Sequence, residues 1–578
     1  MTERTVSVKP ASVRDRSATR VALVAVLVSL SSFLYYFQRS DLLLYGDAVA
    51  HINIARRVFD SQTPGLLQLG TVWLPLPHLL MIPFIFSDTM WRNGAGGSIP
   101  SMIAYVLGVV GIFRLVGGMV EAGLYTKPDT KPGTKAAAGV GAWVAALAYG
   151  ANPNLIYMQA TAMTESVYVA LFIWGVVYFA EFIRELKKND LKEDDRQKNE
   201  DADGRLTRSA RTSLMRCAWC LAGAELTRYD GWFLAGGMGA AVVVIALRRW
   251  QNRALRRAIV KFVLGIAAVP ILWLAYNGAV YGNALEFADG PYSAKAIEHR
   301  VGAPNPAFHN VGVAAIYFLK SAQLNMAVGN WGRFWLAAAL LALAIAAWKL
   351  RAQSAELLLL LLWVPLVFYA LSIAYGSVPL HVYTWWPFAT FNQRYGLQLL
   401  PMFAVSTGLL TASVFLVGAG GRHVWKLVAV MLALVVASYA SVWKAGPQCL
   451  KEARRNWEIR DTLNSAVERF VAQLPRNSRF LMDLGEHVGV MEQAGIPLRQ
   501  VVNNENHRPW KRPTDPEGLW ERALADPPRY VDFVIAFDGD AVDLGVNRTN
   551  LTVLAEIHAT GQPHARIYAA RSVPNQSR

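Results

Sequence analysis

The chain has 578 residues, 54% of them hydrophobic and only 17% charged, with a net charge of +16. That composition is too apolar for a soluble protein of this length and predicts a polytopic membrane protein. The positive charge does not argue for nucleic acid, because Lys and Arg accumulate in the loops that membrane proteins keep in the cytoplasm.

Residues 1–20 carry Arg4, Lys9, Arg14, Arg16 and Arg20 against Glu3 and Asp15, and the apolar run 21–36 follows. No small-x-small cleavage site stands at the right place, so this run reads as an uncleaved first span with its N-terminus inside. A helix that crosses a bilayer needs about 20 mostly apolar residues. Eleven spans are expected, near 19–38, 99–119, 137–156, 166–183, 213–227, 231–247, 259–280, 331–349, 355–375, 396–418 and 427–443. The inner loops are then 120–136, 184–212, 248–258, 350–354 and 419–426, and each is basic or mixed, as the positive-inside rule asks. The stretch 186–207 reads as a solvated, flexible cytoplasmic linker. The stretch 73–90 is apolar but short, with Pro75, Pro77 and Pro83. Counting it as a span would move the Lys-rich loop 120–136 outside, so it reads as an interfacial or re-entrant helix. Cys217 and Cys220 form a C-x-x-C inside an apolar helix, where thiols act as small hydrophobes rather than as a redox pair.

The character changes after residue 443. Strand-like runs at 479–483 and 530–537 and helical periodicity over 457–473 alternate with Gly- and Pro-rich turns. The organisation is therefore a cytoplasmic tail (1–18), a transmembrane domain (19–443) with a first outer loop at 39–98, and a small extracytoplasmic α/β domain (444–578).

The polar residues that could carry chemistry fall in the outer loops. Tyr45-Gly46-Asp47-Ala-Val-Ala-His51 follows the first span, and a helix starting there puts Asp47 and His51 on one face. Asp47 suits a general base or a metal ligand; capping the helix is an equal alternative. Glu165 stands at the mouth of a span, where a helix-dipole role competes with a functional one. Arg228 and Asp230 sit in a tight hairpin, so they either pair with each other or leave Arg228 to hold a phosphate. Arg394 opens a span, either snorkelling to headgroups or binding a lipid-linked phosphate. The loop 282–330, with Glu286, Asp289, Tyr292, Lys295, Glu298, His299 and Arg300, reads as a lid or a disordered segment. His78, His299, His309 and His487 lack the spacing of a zinc site. Asp483, Glu486 and His487 could touch an acceptor, or simply form a turn after a strand.

Together these motifs resemble the GT-C superfamily of polyprenyl-phosphate-sugar-dependent glycosyltransferases, in particular the branch of the aminoarabinose transferases and protein O-mannosyltransferases. The resemblance spans 20–445 in layout. Gly46-Asp47 is similar to the family's acidic motif in its first outer loop, and Trp73-Leu-Pro-Leu-Pro-His78 to its Pro-rich juxtamembrane stretch. Thr164-Glu165 falls where the family carries a second acid. Leu226-Thr-Arg228-Tyr-Asp230-Gly-Trp232 and Arg394-Tyr395 to Pro401 also recur in such chains. The resemblance implies a GT-C-like fold and a single inverting displacement from a polyprenyl-phosphate sugar to a lipid, glycan or protein acceptor. Asp47 would deprotonate or orient the acceptor hydroxyl, and Glu165 would hold the acceptor or sugar. Arg228, Arg394 and Lys295 would stabilise the phosphate, with His51, His78, Tyr395 and Asp230 in support. No nucleotide is implied. A divalent metal stays open, although one Glu with no second carboxylate beside it argues against a metal-dependent arrangement. A bacterial inner membrane is the expected location. The rival readings are a multi-pass transporter or lipid-carrier flippase, which predicts ionisable residues deep in spans and repeat symmetry, and a non-catalytic protein of envelope assembly.

Overall fold

A backbone that cannot reach water must close its hydrogen bonds within each segment, so apolar runs of this length become helices. In a computed structural model that describes residues 13–121, 133–196, 207–248, 252–290, 293–301, 305–350, 353–376, 378–417, 421–485, 487, 489–506 and 518–571, every expected span falls on helix. These helices are Val13–Gln38, Ala95–Glu121, Thr134–Gly150, Glu165–Arg196, Arg208–Glu225, Asp230–Arg248, Arg253–Tyr281, Gly332–Leu350, the pair Gln353–Leu361 and Val364–Tyr375, Leu400–Val417 and Arg422–Ala445.

Eight stretches among the described residues are long and apolar enough to cross a membrane, fewer than the eleven expected. Thr134–Gly150 has 17 residues. Arg208–Glu225 begins with Arg208, Arg211 and Arg216. The apolar part of Gly332–Leu350 is the shorter stretch Gly332–Ala347. The segment 73–90 contains only the short helices Leu76–Met81, Ile82–Phe84 and the start of Asp88–Arg92. None is long enough to span, and Pro75, Pro77 and Pro83 explain the breaks. Residues 1–12 of the tail, 122–132 of the loop 120–136 and 197–206 of the linker, with Tyr292 and Glu486, lie outside the described residues.

The helices pack through small residues. A Cβ added at Gly141 would lie 2.6 Å from the Gly408 carbonyl oxygen, and one at Gly408 equally close to the Gly141 oxygen. The helices Thr134–Gly150 and Leu400–Val417 therefore touch backbone to backbone, as small residues allow in a membrane.

The expected lid 282–330 is not a bare loop. It contains the helix Val311–Met326, with Phe318, Ala322, Leu324 and Met326 buried. His309 N–H donates to the Ala374 carbonyl at 2.9 Å, and Asn325 Nδ2 donates to the Gln393 carbonyl at 2.9 Å. Both ends of this helix are thus tied to residues that flank the stretch between the helices Val364–Tyr375 and Gln393–Leu399.

The helix Gln448–Val471 leaves the membrane domain and starts nine residues before the periodicity predicts. It leads into a five-stranded sheet of β1 (Phe480–Met482), β2 (Val501–Val502), β3 (Phe533–Phe537), β4 (Thr552–Ile557) and β5 (Ala565–Ala569). Their order across the sheet is β2-β1-β3-β5-β4. β1 runs parallel to β2 and β3, and β5 antiparallel to β3 and β4. All five residues of β3 are buried, because side chains that alternate across a pleat meet a core on each face. Leu481, Val534 and Tyr568 pack on one side, Phe480, Met482, Ile535 and Ile567 on the other. This unit grips the loop after the first helix. Arg92 Nε donates to the Glu492 carbonyl at 3.1 Å, Asn53 Nδ2 to Glu492 Oε2 at 2.5 Å and Arg499 Nη1 to Asp60 Oδ1 at 3.2 Å.

Candidate functional site

A cavity of about 1020 Å³ opens where the loops after the first helix, the 226–229 hairpin, the segment 286–309 and residues 368–395 converge. Of the residues given roles in the expected reaction, all but His78 line it: Asp47, His51, Glu165, Arg228, Asp230, Lys295, Arg394 and Tyr395. His78 lies directly behind His51.

The helix Gly46–Arg57 positions Asp47. It starts without a side-chain cap, so Asp47 sits inside the first turn rather than capping it. Its carboxylate accepts from Arg394 Nη2 at 2.5 Å. Arg394 begins the next segment from the short helix Gln393–Leu399 and is buried. It points into the protein and not to headgroups. Nη1 donates to Glu452 Oε1 at 2.9 Å, and Nε lies 3.3 Å from Glu165 Oε1. Tyr45 and Tyr395 cover its guanidinium at 4.9 and 5.2 Å from their ring centres.

Glu165 starts the helix Glu165–Arg196, and the same Oε1 accepts from Arg228 Nη1 at 3.2 Å. Arg228 Nε donates to Asp230 Oδ1 at 3.3 Å, its Nη1 to Thr164 Oγ1 at 3.0 Å and its Nη2 to the Tyr369 hydroxyl at 3.0 Å. That hydroxyl donates in turn to Asp230 Oδ2 at 3.1 Å. The result is an alternating row, Asp230–Arg228–Glu165–Arg394–Asp47, with Glu452 joined at Arg394. Four carboxylates share two guanidiniums. A buried charge is tolerated only when paired and hydrogen-bonded, and here each acid holds an arginine.

The acids differ in access. The Asp47 side chain is 40% exposed, against 2% for Glu165, 1% for Asp230 and 5% for Glu452. Lys295 is exposed, and its one ion pair among the described residues is with Asp289, at 3.6 Å. His51 and His78 face each other, Nδ1 to Nε2 at 2.9 Å. Burial, reinforced by Arg228 and Arg394, pulls His51 down to about 3. Burial, with His51 and Arg57, also holds His78 well below the ordinary histidine range. Both rings are therefore neutral at pH 7.

The sequence reading missed Glu452 and Tyr369. It also treated Glu165 as an acid with no carboxylate near it, whereas Glu452 and Asp230 reach it through the two arginines. No group of three or more His, Cys, Asp or Glu side chains able to hold a metal ion occurs among the described residues. The carboxylates converge on guanidiniums rather than on a common centre, so this arrangement does not fit a metal. His487 stacks on Phe537 at 3.6 Å and bonds Asn464, away from the cavity.

No protein-family model matches the chain, and no curated protein matches it. Solved structures do. ArnT from Cupriavidus metallidurans bound to undecaprenyl phosphate aligns over 96% of this chain and 99% of its own, at 12% identity and a TM-score of 0.51. This chain shares its fold with ArnT. The apo state of ArnT aligns with a TM-score of 0.50, also at 12% identity, over 96% of this chain and 98% of its own. The archaeal oligosaccharyltransferase AglB from Archaeoglobus fulgidus, in complex with an inhibitory peptide and a dolichol-phosphate, aligns over 97% of this chain and 75% of its own, at 13% identity and a TM-score of 0.48. The fold shared with ArnT takes in the membrane helices and the terminal sheet together.

Proposed function

We propose that this chain is a membrane glycosyltransferase that moves a sugar from a polyprenyl-phosphate donor to an acceptor hydroxyl. One observation carries the reading: of the four carboxylates in the charged row, Asp47 is the exposed one, at 40% against 5% or less for Glu165, Asp230 and Glu452, and it lines the cavity. The ArnT fold supports it, since ArnT was solved bound to undecaprenyl phosphate.

The reaction is a single inverting displacement. The acceptor oxygen attacks the anomeric carbon as the bond to the polyprenyl phosphate breaks, and Asp47 takes the hydroxyl proton. An Asp is a fitting base here because the acceptor loses its proton as the leaving group departs. Charge grows on the phosphate during this step, and fixed cations aimed at it lower the barrier. Lys295 is exposed in the cavity lining and reaches a phosphate by leaving its solvent-exposed pairing with Asp289. Four carboxylates offset the charge of Arg394 and Arg228, so these two act on the phosphate by direct contact, each giving up a carboxylate contact to bind it. Glu165, held by both arginines, fixes their positions and lines the cavity, and its Oε2 has no hydrogen-bond partner among the described residues, which leaves it an acceptor for a substrate hydroxyl. No step is assigned to a metal. The cavity opens on the extracytoplasmic side of a bacterial inner membrane, with the sheet unit of 444–578 on that side and the tail 1–18 in the cytoplasm.

The test is release of polyprenyl phosphate by the purified full chain in nanodiscs, offered a panel of polyprenyl-phosphate sugars with candidate acceptors. Release that depends on acceptor supports the transferase. Absence of release from every donor that binds contradicts it.

A further inference from the structure

The histidine pair beneath the charged row has a property that its surroundings determine. His78 is fully buried and its Nδ1 has no hydrogen-bond partner. Its Nε2 meets His51 Nδ1 at 2.9 Å. A single proton lies between two neutral rings, and two arrangements compete. If His51 donates, His78 must carry its own proton on Nδ1, where it would be a buried N–H with no acceptor. If His78 donates from Nε2, its Nδ1 is a bare lone pair. Orphaned buried N–H groups are rarer and costlier than under-used acceptors, so the second arrangement wins. Arg57 acts in the same direction. It is buried, lacks an ion-pair partner among the described residues and bonds only the Gln68 carbonyl, at 3.4 Å. Its field opposes any further positive charge on His78.

With His51 Nδ1 accepting, the proton of His51 must sit on Nε2. That nitrogen has no protein partner among the described residues and is not among the buried unpaired atoms, while His51 lines the cavity one helical turn from Asp47. The Trp73 ring, 4.7 Å away, holds the imidazole in place.

We propose that His78 and His51 form a neutral relay that presents His51 Nε2–H to the cavity as a fixed hydrogen-bond donor for a substrate oxygen beside Asp47. His78 is a positioning residue that sets the tautomer, and His51 is the contact. A neutral donor suits a sugar hydroxyl or a phosphate ester oxygen. The identity of the ligand rests on the transferase reading; the tautomer does not.

Histidine nitrogen NMR on the ¹⁵N-histidine full chain in nanodiscs reads the tautomer directly, with His51 assigned by its loss in His51→Phe. The relay predicts a neutral His51 protonated on Nε2 at pH 7. His78→Gln, whose amide can still donate, keeps that state. His78→Glu accepts from His51 Nδ1, moves the proton there and weakens binding of a polyprenyl-phosphate sugar roughly tenfold, the scale of one lost hydrogen bond. A shift of His51 Nε2 with undecaprenyl phosphate alone identifies a phosphate oxygen as the acceptor. A shift only with the sugar-bearing lipid identifies a sugar hydroxyl. A wild-type proton on His51 Nδ1, a charged ring at pH 7, or bound lipid without any shift overturns the relay. The predicted tautomer with neither lipid bound would instead overturn the transferase reading and the ligand assigned to His51.

Discussion

Arg394 and Asp47 stand 347 positions apart in the chain and 2.5 Å apart in the structure. The same guanidinium holds Glu452 and Glu165, so one side chain joins the first loop, the mouth of the Glu165 helix and the helix that leads to the sheet. Removing one member of a buried charge group leaves the others uncompensated. Arg394→Ala should destabilise the protein by about 3–5 kcal/mol. Arg394→Lys should recover only part of this, because an ammonium cannot serve three carboxylates with a planar fork. Thermal unfolding of both variants in the same detergent checks the order.

Glu452 touches neither the cavity nor a substrate in this account, yet it anchors Arg394 and accepts from Gln393 N–H at 2.7 Å. Glu452→Gln keeps the shape and loses the charge. Transfer should fall roughly tenfold or more, the worth of one charge-assisted hydrogen bond, while the protein stays folded. Wild-type rates in this variant would remove Glu452 from the machinery.

Glu492 ties the sheet unit to the helix that bears Asp47. Burial pushes its carboxyl up to about 8, against which the Asn53 hydrogen bond and the charges of Arg460 and Arg92 act only partly. The folded protein thus holds a proton that the unfolded chain releases near pH 4.5. Linkage then makes this contribution full below the unfolded value and removes it as pH rises through about 8. Stability should therefore decline between about pH 4.5 and 8 at this site, and Glu492→Gln should flatten that decline. Melting temperatures of the two proteins across pH provide the comparison; parallel curves would refute it.

The backbone contact of Gly141 with Gly408 leaves no room for a side chain. Gly408→Val should separate two helices and cost about 1–3 kcal/mol. Gly139, on the same helix as Gly141, has nothing within 4 Å of an added Cβ. Gly139→Ala should stabilise by about 0.5–1 kcal/mol through helix propensity alone. Unfolding midpoints of the pair separate packing from propensity.

Much of this was legible in the residues. Apolar runs placed the helices because length and hydropathy are local, and the position of Asp47, Glu165, Arg228 and Arg394 in the outer loops grouped residues that line one cavity. The partners were not legible. Glu452 lies in a mixed-charge stretch whose periodicity becomes clear only from Trp457, so its helix seemed to begin later than Gln448. The helix Val311–Met326 contains Lys320, Gln323 and Asn325, buried polar residues that interrupt an apolar pattern. Lys320 is satisfied by the Gly329 carbonyl just past the helix and Asn325 by the distant Gln393 carbonyl, and neither bond shows in the hydrophobic pattern. Tyr369 looked like one more aromatic in a span, and only the fold brings its hydroxyl between Arg228 and Asp230.

The most direct test of the account is the rate of polyprenyl phosphate release by Asp47→Asn beside wild type, with folding verified by the same unfolding curve. A general base contributes about 10²–10⁴-fold, so release should fall by that factor while binding of the lipid donor persists. Equal release from Asp47→Asn and wild type would contradict the assignment of Asp47 and the displacement built on it.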